Sequence, residues 1–125
     1  MFDYQHDYIP AKPVIEVGLS LPGSSLVKTT TAMLVDSGAD KTMIAVDVLH
    51  FIGAKSIDRV RVRGIFGASR STELYVVDLQ IGIHRIRAVE VAALSEGDES
   101  IQGRDVLNQL IVTLNGLASV TEVAA

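Results

Sequence analysis

The sequence predicts a mostly β domain with one or two short helices, and three observations predict it. Arg59-Val60-Arg61-Val62-Arg63 alternates strictly between charged and apolar residues, as a half-exposed strand does. Tyr75, Val77, Leu79, Ile81 and Ile83 share one parity, which predicts one face of a longer strand. Asn115-Gly116 separates Ile111 to Leu114 from Ser119 to Val123, and Asn-Gly is a strong hairpin-turn dipeptide.

The remaining elements follow in chain order. Residues 1–12 are polar and aromatic with Pro10, and predict an arm; residues 13–125 predict a single domain. Val14 to Leu19 is a short β-type run, and Pro22-Gly23-Ser24-Ser25 is a turn cluster. Leu26 to Val35 reads as a strand that becomes more buried toward Met33-Leu34-Val35. Ile44, Val48, Leu49 and Ile52 fall near one helical face, so Thr42 to Ile52 predicts a helix stopped by Gly53. Gly64 to Ser69 is turn-like, and a second strand through Ile86 to Leu94 follows Gly82. Glu96-Gly97-Asp98-Glu99-Ser100 is an acidic loop, and Asp105 to Leu110 predicts a short helix.

Composition narrows the function classes. At 125 residues the chain suits one domain, large enough to fold without metal or disulfide staples. A hydrophobic content of 48% is inconsistent with disorder. Cysteine is absent, which excludes disulfides, thiolate catalysis and zinc-thiolate sites. His6, His50 and His84 lack metal-type spacing, so no metal and no cofactor are expected. A formal charge of −4 argues against nucleic acid as a partner. The acidic N-terminal residues do not read as a secretory signal, and no stretch has the roughly 20 apolar residues of a membrane helix. A cytoplasmic protein with no membrane partner is the expectation.

The segment that carries chemistry is Met33-Leu34-Val35-Asp36-Ser37-Gly38-Ala39-Asp40. An acid directly after a buried apolar strand is costly unless it is hydrogen-bonded, paired or protonated. Gly38 permits a tight loop whose backbone N–H groups can approach the Asp36 carboxylate. Asp-Ser-Gly is also ordinary turn chemistry, so the segment alone decides nothing. Two further features sharpen it: Ile101-Gln102-Gly103-Arg104-Asp105 late in the chain, and the glycine-bracketed tip Gly64-Ile65-Phe66-Gly67 between two strands.

Together these motifs resemble the retropepsins, the single-domain retroviral-type aspartic proteases. The likeness extends to their bacterial relatives through Val106-Leu107-Asn108 and Val112-Thr113-Leu114-Asn115-Gly116, and covers about residues 13–123. The resemblance implies a closed β-barrel of the acid-protease type, assembled as a homodimer that cleaves peptide or protein substrates. It implies that Asp36 is the catalytic aspartate, one per chain. Ser37, Gly38 and Ala39 would form the active-site loop, with the Ser37 hydroxyl bracing it across the dimer. Asp40 and Arg104 would form a structural ion pair, expected to be buried. Gly64, Ile65, Phe66 and Gly67 would form a flap over substrate, and Ile101 would line the site. Gln102 is polar where the family pattern is apolar, and the tail beyond Gly116 is longer than in the viral enzymes.

Because the chain has one Asp-Ser-Gly and is too short for two lobes, the second carboxylate must come from a second copy. The rival from another class is a non-catalytic retropepsin-like dimerisation or peptide-binding module, since fold does not fix function. Arg59, Arg61 and Arg63 read first as a solvated strand face, and second as a contact surface for an acidic peptide at the flap base.

Overall fold

The fold is built on paired strands whose alternate residues meet in one core. A computed structural model describes residues 1–64 and 67–125. The strands are β1 (Phe2–Asp3), β2 (Val14–Ser20), β3 (Thr29–Val35), β4 (Met43–Ala45), β5 (Ser56–Arg63), β6 (Ser69–Ile81), β7 (His84–Leu94), β8 (Ile101–Gln102), β9 (Ile111–Asn115) and β10 (Val120–Ala124). The helices are α1 (Val46–Ile52) and α2 (Arg104–Leu107).

The main sheet runs β2-β3-β8-β4-β7-β6-β5, and β2 pairs a second time with β6 through Leu19 and Leu79. A smaller sheet runs β1-β10-β9. Ile15, Val17 and Leu19 from β2 meet Val77, Leu79 and Ile81 from β6 and Val89 and Val91 from β7 in one buried cluster. Full burial of one such aliphatic side chain contributes about 1.5–3 kcal/mol. Phe2 in the arm packs against the edge of this core, because β1 pairs with β10 at Phe2↔Thr121.

Three expectations from residue spacing are corrected. Thr42 to Ile52 is not one helix. Met43–Ala45 pairs in parallel with Ala92–Leu94, and the helix begins at Val46. Ile44 is therefore buried as a strand residue, although its spacing to Val48 fits a helix face. Gly53 ends α1 in the left-handed region at φ 80, and its N–H donates to the His50 carbonyl.

Ile83 does not share the face of Ile81. Ile81 pairs with His84, so Gly82 and Ile83 form the tight turn, and Ile83 is 91% exposed. Asp78 is also buried, on the face opposite Val77 and Leu79, where a register shift adds a residue to β7 and the Ala88 N–H meets its carboxylate. Finally, α2 is one turn, Arg104–Leu107, followed by isolated turns to Leu110.

Candidate active site

The Asp36 loop is shaped by the strand beside it. β8 lies parallel to the end of β3, with Val35 opposite Gln102. The chain leaves β3 at Asp36, whose N–H donates to the Gln102 carbonyl at 3.1 Å. The loop then folds over its own first residue. Gly38 N–H donates to Asp36 Oδ1 at 3.0 Å, and Ala39 N–H donates to the Asp36 carbonyl at 3.2 Å. Asp36 is half-buried, and among the described residues no cation lies within 4.0 Å of its carboxylate. The group is held by backbone and is not neutralised by a salt bridge.

The second segment, Gly103 to Asp105, locks that loop in place. Arg104 N–H donates to the Ala39 carbonyl at 2.9 Å, and Arg104 Nη1 donates to the Ser37 carbonyl at 2.7 Å. Arg104 Nη2 pairs with Asp40 Oδ1. Thr42 Oγ1 donates to Asp105 Oδ1 at 2.7 Å and accepts from Gly103 N–H at 3.1 Å. Thr42 N–H donates to the same Asp105 oxygen at 3.0 Å. Thr42 is fully buried, so these bonds fix the loop's far end in a low-dielectric setting.

A groove of about 340 Å³ opens beside the loop, between Gly38, Lys41 and Met43 on one side and Arg61, Val62 and Arg63 of β5 on the other. The groove begins at Gly38, two residues after Asp36, so it adjoins the loop without being lined by the Asp36 carboxylate. Among the described residues no group of three His, Asp or Glu converges as metal ligands would.

The sequence profile of the family described as aspartyl protease matches residues 22–117. The chain belongs to the aspartyl protease family.

Its fold agrees with that membership. This aspartyl protease family chain is similar to the solved structure of EIAV protease complexed with the inhibitor HBY-793, with a TM-score of 0.62 and 20% identity over 78% of this chain and 86% of that chain. At that identity the likeness shows the retroviral-type fold alone. No curated protein matches the chain.

Of the residues singled out in the sequence, Asp36, Ser37, Gly38, Ala39, Asp40 and Arg104 come together in one loop cluster. Ile101 is half-buried beside them, opposite Leu34 and Met43. The Asp40–Arg104 pair forms, but it is not the buried pair expected. The Asp40 side chain is 88% exposed and that of Arg104 43%. An exposed pair is worth about 0.2–1 kcal/mol instead of the larger cost of breaking a buried one. Gly64 and Gly67 form the base of a hairpin tip, with Gly67 N–H donating to the Gly64 carbonyl at 3.1 Å. Ile65 and Phe66 lie outside the described residues.

Sequence reasoning missed Thr42, Asp105 as its partner, and Lys41 in the groove. Their signal was position: Thr42 and Asp105 stand immediately beside the two motifs. It also missed Asp78, the buried acid on the opposite side of the reading. Asp78 accepts from Gly23 N–H at 3.0 Å, Ala88 N–H at 2.7 Å and Arg85 Nη2 at 3.3 Å. Burial by itself would raise its pKa. The Ala88 and Gly23 hydrogen bonds and the Arg85 charge outweigh that, and the carboxyl sits below its ordinary value. This acid pins the turn after β2 to the β6–β7 hairpin.

Proposed function

We propose that the chain is an aspartic endopeptidase working as a homodimer, with one Asp36 from each copy flanking a catalytic water. The observation that carries this reading is the Asp36 loop. A carboxylate without a cationic partner among the described residues is held at the end of β3 by the Gly38 N–H, in a chain of the aspartyl protease family. A single chain has one such loop, so the chemistry needs a two-fold axis between identical acids. The pairing of β2 with both β3 and β6 supports a closed barrel in each copy.

Two carboxylates that close together cannot both ionise, so they share one proton. The ionised member takes a proton from the water as it attacks the scissile carbonyl carbon. The protonated member donates to the carbonyl oxygen and later helps protonate the leaving nitrogen. The apparent pKa values belong to the pair. In the dimer, Ser37 braces the two loops, Gly38 and Ala39 border the substrate, and the β5–β6 hairpin that carries Gly64 and Gly67 acts as the flap over it. Ile101 lines the same cleft.

The test is digestion of a peptide library by the wild-type protein and by Asp36→Asn, with the mass in solution measured for both. The expected result is a dimer in both cases and cleavage only by the wild type. Cleavage retained by Asp36→Asn overturns the mechanism. A dimer that binds peptides but cuts none leaves the binding-module reading in its place.

A further inference from the structure

The groove beside the Asp36 loop is positively charged in a chain that is negative overall. The formal charge of the whole chain is −4. Yet the groove beside Gly38 is lined by Lys41, Arg61 and Arg63. An adjoining cavity of about 320 Å³ shares Met43, Val62 and Arg63 with it and adds Arg70. The acid in the same groove, Asp40, is already paired with Arg104. Among the described residues no carboxylate lies within 4.0 Å of Lys41, Arg61, Arg63 or Arg70. Arg61 Nη2 is steadied instead by Ser69 Oγ at 2.9 Å, and Arg70 Nη1 by Ser95 Oγ at 3.3 Å. Both hydroxyls leave the positive charge intact.

The pattern within β5 separates this cluster from a plain solvated strand. Val60 and Val62 are half-buried, whereas the arginines between and beside them are exposed. Arg59 lies 3.9 Å from Glu73 and does not line the groove. Arg61 and Arg63 do line it, and Lys41 faces them from the loop that follows Asp36. An occupant of this groove therefore meets the apolar residues Met43 and Val62 together with the cations Lys41, Arg61 and Arg63. That chemistry fits an extended peptide with apolar side chains and at least one Asp or Glu.

We infer that the groove selects acidic peptides, with Lys41, Arg61 and Arg63 as specificity-determining residues. This rests on the protease reading for its location, since the groove begins two residues after Asp36. Its recognition step is nonetheless a binding property, which can be read without cleavage. Each exposed cation that meets a carboxylate contributes about 0.2–1 kcal/mol, a factor of roughly 1.4 to 5 in affinity. The preference is electrostatic, so added salt weakens it.

The experiment uses the full-length Asp36→Asn protein, immobilised, and octapeptide pools that differ only in a fixed Glu or Gln at one position. Enrichment is read by mass spectrometry. The expected result is a Glu-over-Gln enrichment of at least about threefold at 50 mM salt, falling toward one at 1 M salt. Lys41→Gln, Arg61→Gln and Arg63→Gln each lower the ratio, and Arg59→Gln leaves it unchanged. All four side chains are at or near the surface, and a thermal melt reports whether each variant keeps its fold. A ratio of one in the unaltered groove overturns the inference, and so does a ratio that Arg59→Gln lowers equally. Tighter binding of a thymidine oligonucleotide of matched charge also overturns it, since the surface would then be a general polyanion site. Wild-type digestion of the same pools tests the catalytic reading separately. Cleavage without acidic preference sinks only the inference, and acidic enrichment without cleavage sinks only the catalysis.

Discussion

Gly103 stands directly against the backbone of Lys41. A Cβ added at Gly103 would lie 2.6 Å from the Lys41 carbonyl carbon and 2.8 Å from its oxygen. The backbone at Gly103 is ordinary and extended, with φ −91, so contact and not conformation demands glycine here. Because the obstacle is backbone, it cannot rotate away. Gly103→Ala is expected to push the 39–42 loop from the 103–105 segment and to cost about 1–3 kcal/mol. Thermal unfolding measures the loss. Peptide cleavage is expected to fall further than stability alone explains, because the displaced segment continues the loop that begins at Asp36. An unchanged melting temperature would refute the close approach.

Arg104 and Asp40 are unequal partners despite sharing an ion pair. Asp40 is 88% exposed and makes its pair with Arg104 in solvent. Arg104 also donates to the Ser37 carbonyl at 2.7 Å, inside the Asp36 loop. Asp40→Ala is therefore expected to cost at most about 1 kcal/mol. Arg104→Ala leaves the Ser37 carbonyl without its charged donor and is expected to cost about 1.5–3 kcal/mol. Urea unfolding of the two variants gives the order directly. Equal losses would mean that the ion pair, and not the Ser37 contact, carries the stabilisation.

What could be read in the sequence was what local pattern encodes. The strands around Arg61, Leu79 and Val123 announce themselves by alternation and by Asn115-Gly116, and the Asp36 and Arg104 motifs are each continuous in sequence. What could not be read depends on partners far along the chain. Ile44 has helical spacing to Val48 but is drawn into a strand by Ala93 of β7. Asp78 alternates out of the core like a surface acid, and it is buried because Gly23, Ala88 and Arg85, distant in sequence or on the neighbouring strand, close over it. The exposure of Asp40 likewise depends on how loop and helix meet, which no motif states.

Asp78 makes stability depend on pH in a defined direction. Its carboxyl titrates below its ordinary value in the folded chain, through the Ala88 and Gly23 hydrogen bonds and Arg85, against the opposing effect of burial. In the unfolded chain an Asp titrates near about 3.9. Between the two values the unfolded state binds more protons, so stability rises with pH across that window. The contribution is complete above about pH 4–5 and is lost as pH falls through the folded value. Asp78→Asn is expected to cost about 3–5 kcal/mol at pH 7, because it leaves the Arg85 charge without its buried partner. Urea unfolding at pH 7, 4 and 3 should show the gap between wild type and variant narrowing as the medium becomes more acid. A gap that stays constant over this range would show that Asp78 does not carry the dependence.

Gln102 offers the opposite outcome, a substitution expected to stabilise. Its side chain is fully buried, and among the described residues neither Nε2 nor Oε1 finds a hydrogen-bond partner. Its backbone, in contrast, is used: the Gln102 carbonyl accepts from Asp36 N–H. A buried amide without partners costs about 1–3 kcal/mol, while an apolar side chain of similar size in the same space costs nothing of the kind. Gln102→Leu keeps the backbone bond to Asp36 and fits the apolar character of this position in the resembling family. The variant is expected to gain about 1–3 kcal/mol, seen as a higher denaturant midpoint with an unchanged slope. A destabilised Gln102→Leu would show that the amide is satisfied in solution, by a buried water or by the partner copy of the proposed dimer. Gln102→Glu then separates the two states of the site, since an ionised carboxylate there would be uncompensated. It is expected to unfold more readily at pH 8 than at pH 5, where the acid can be neutral.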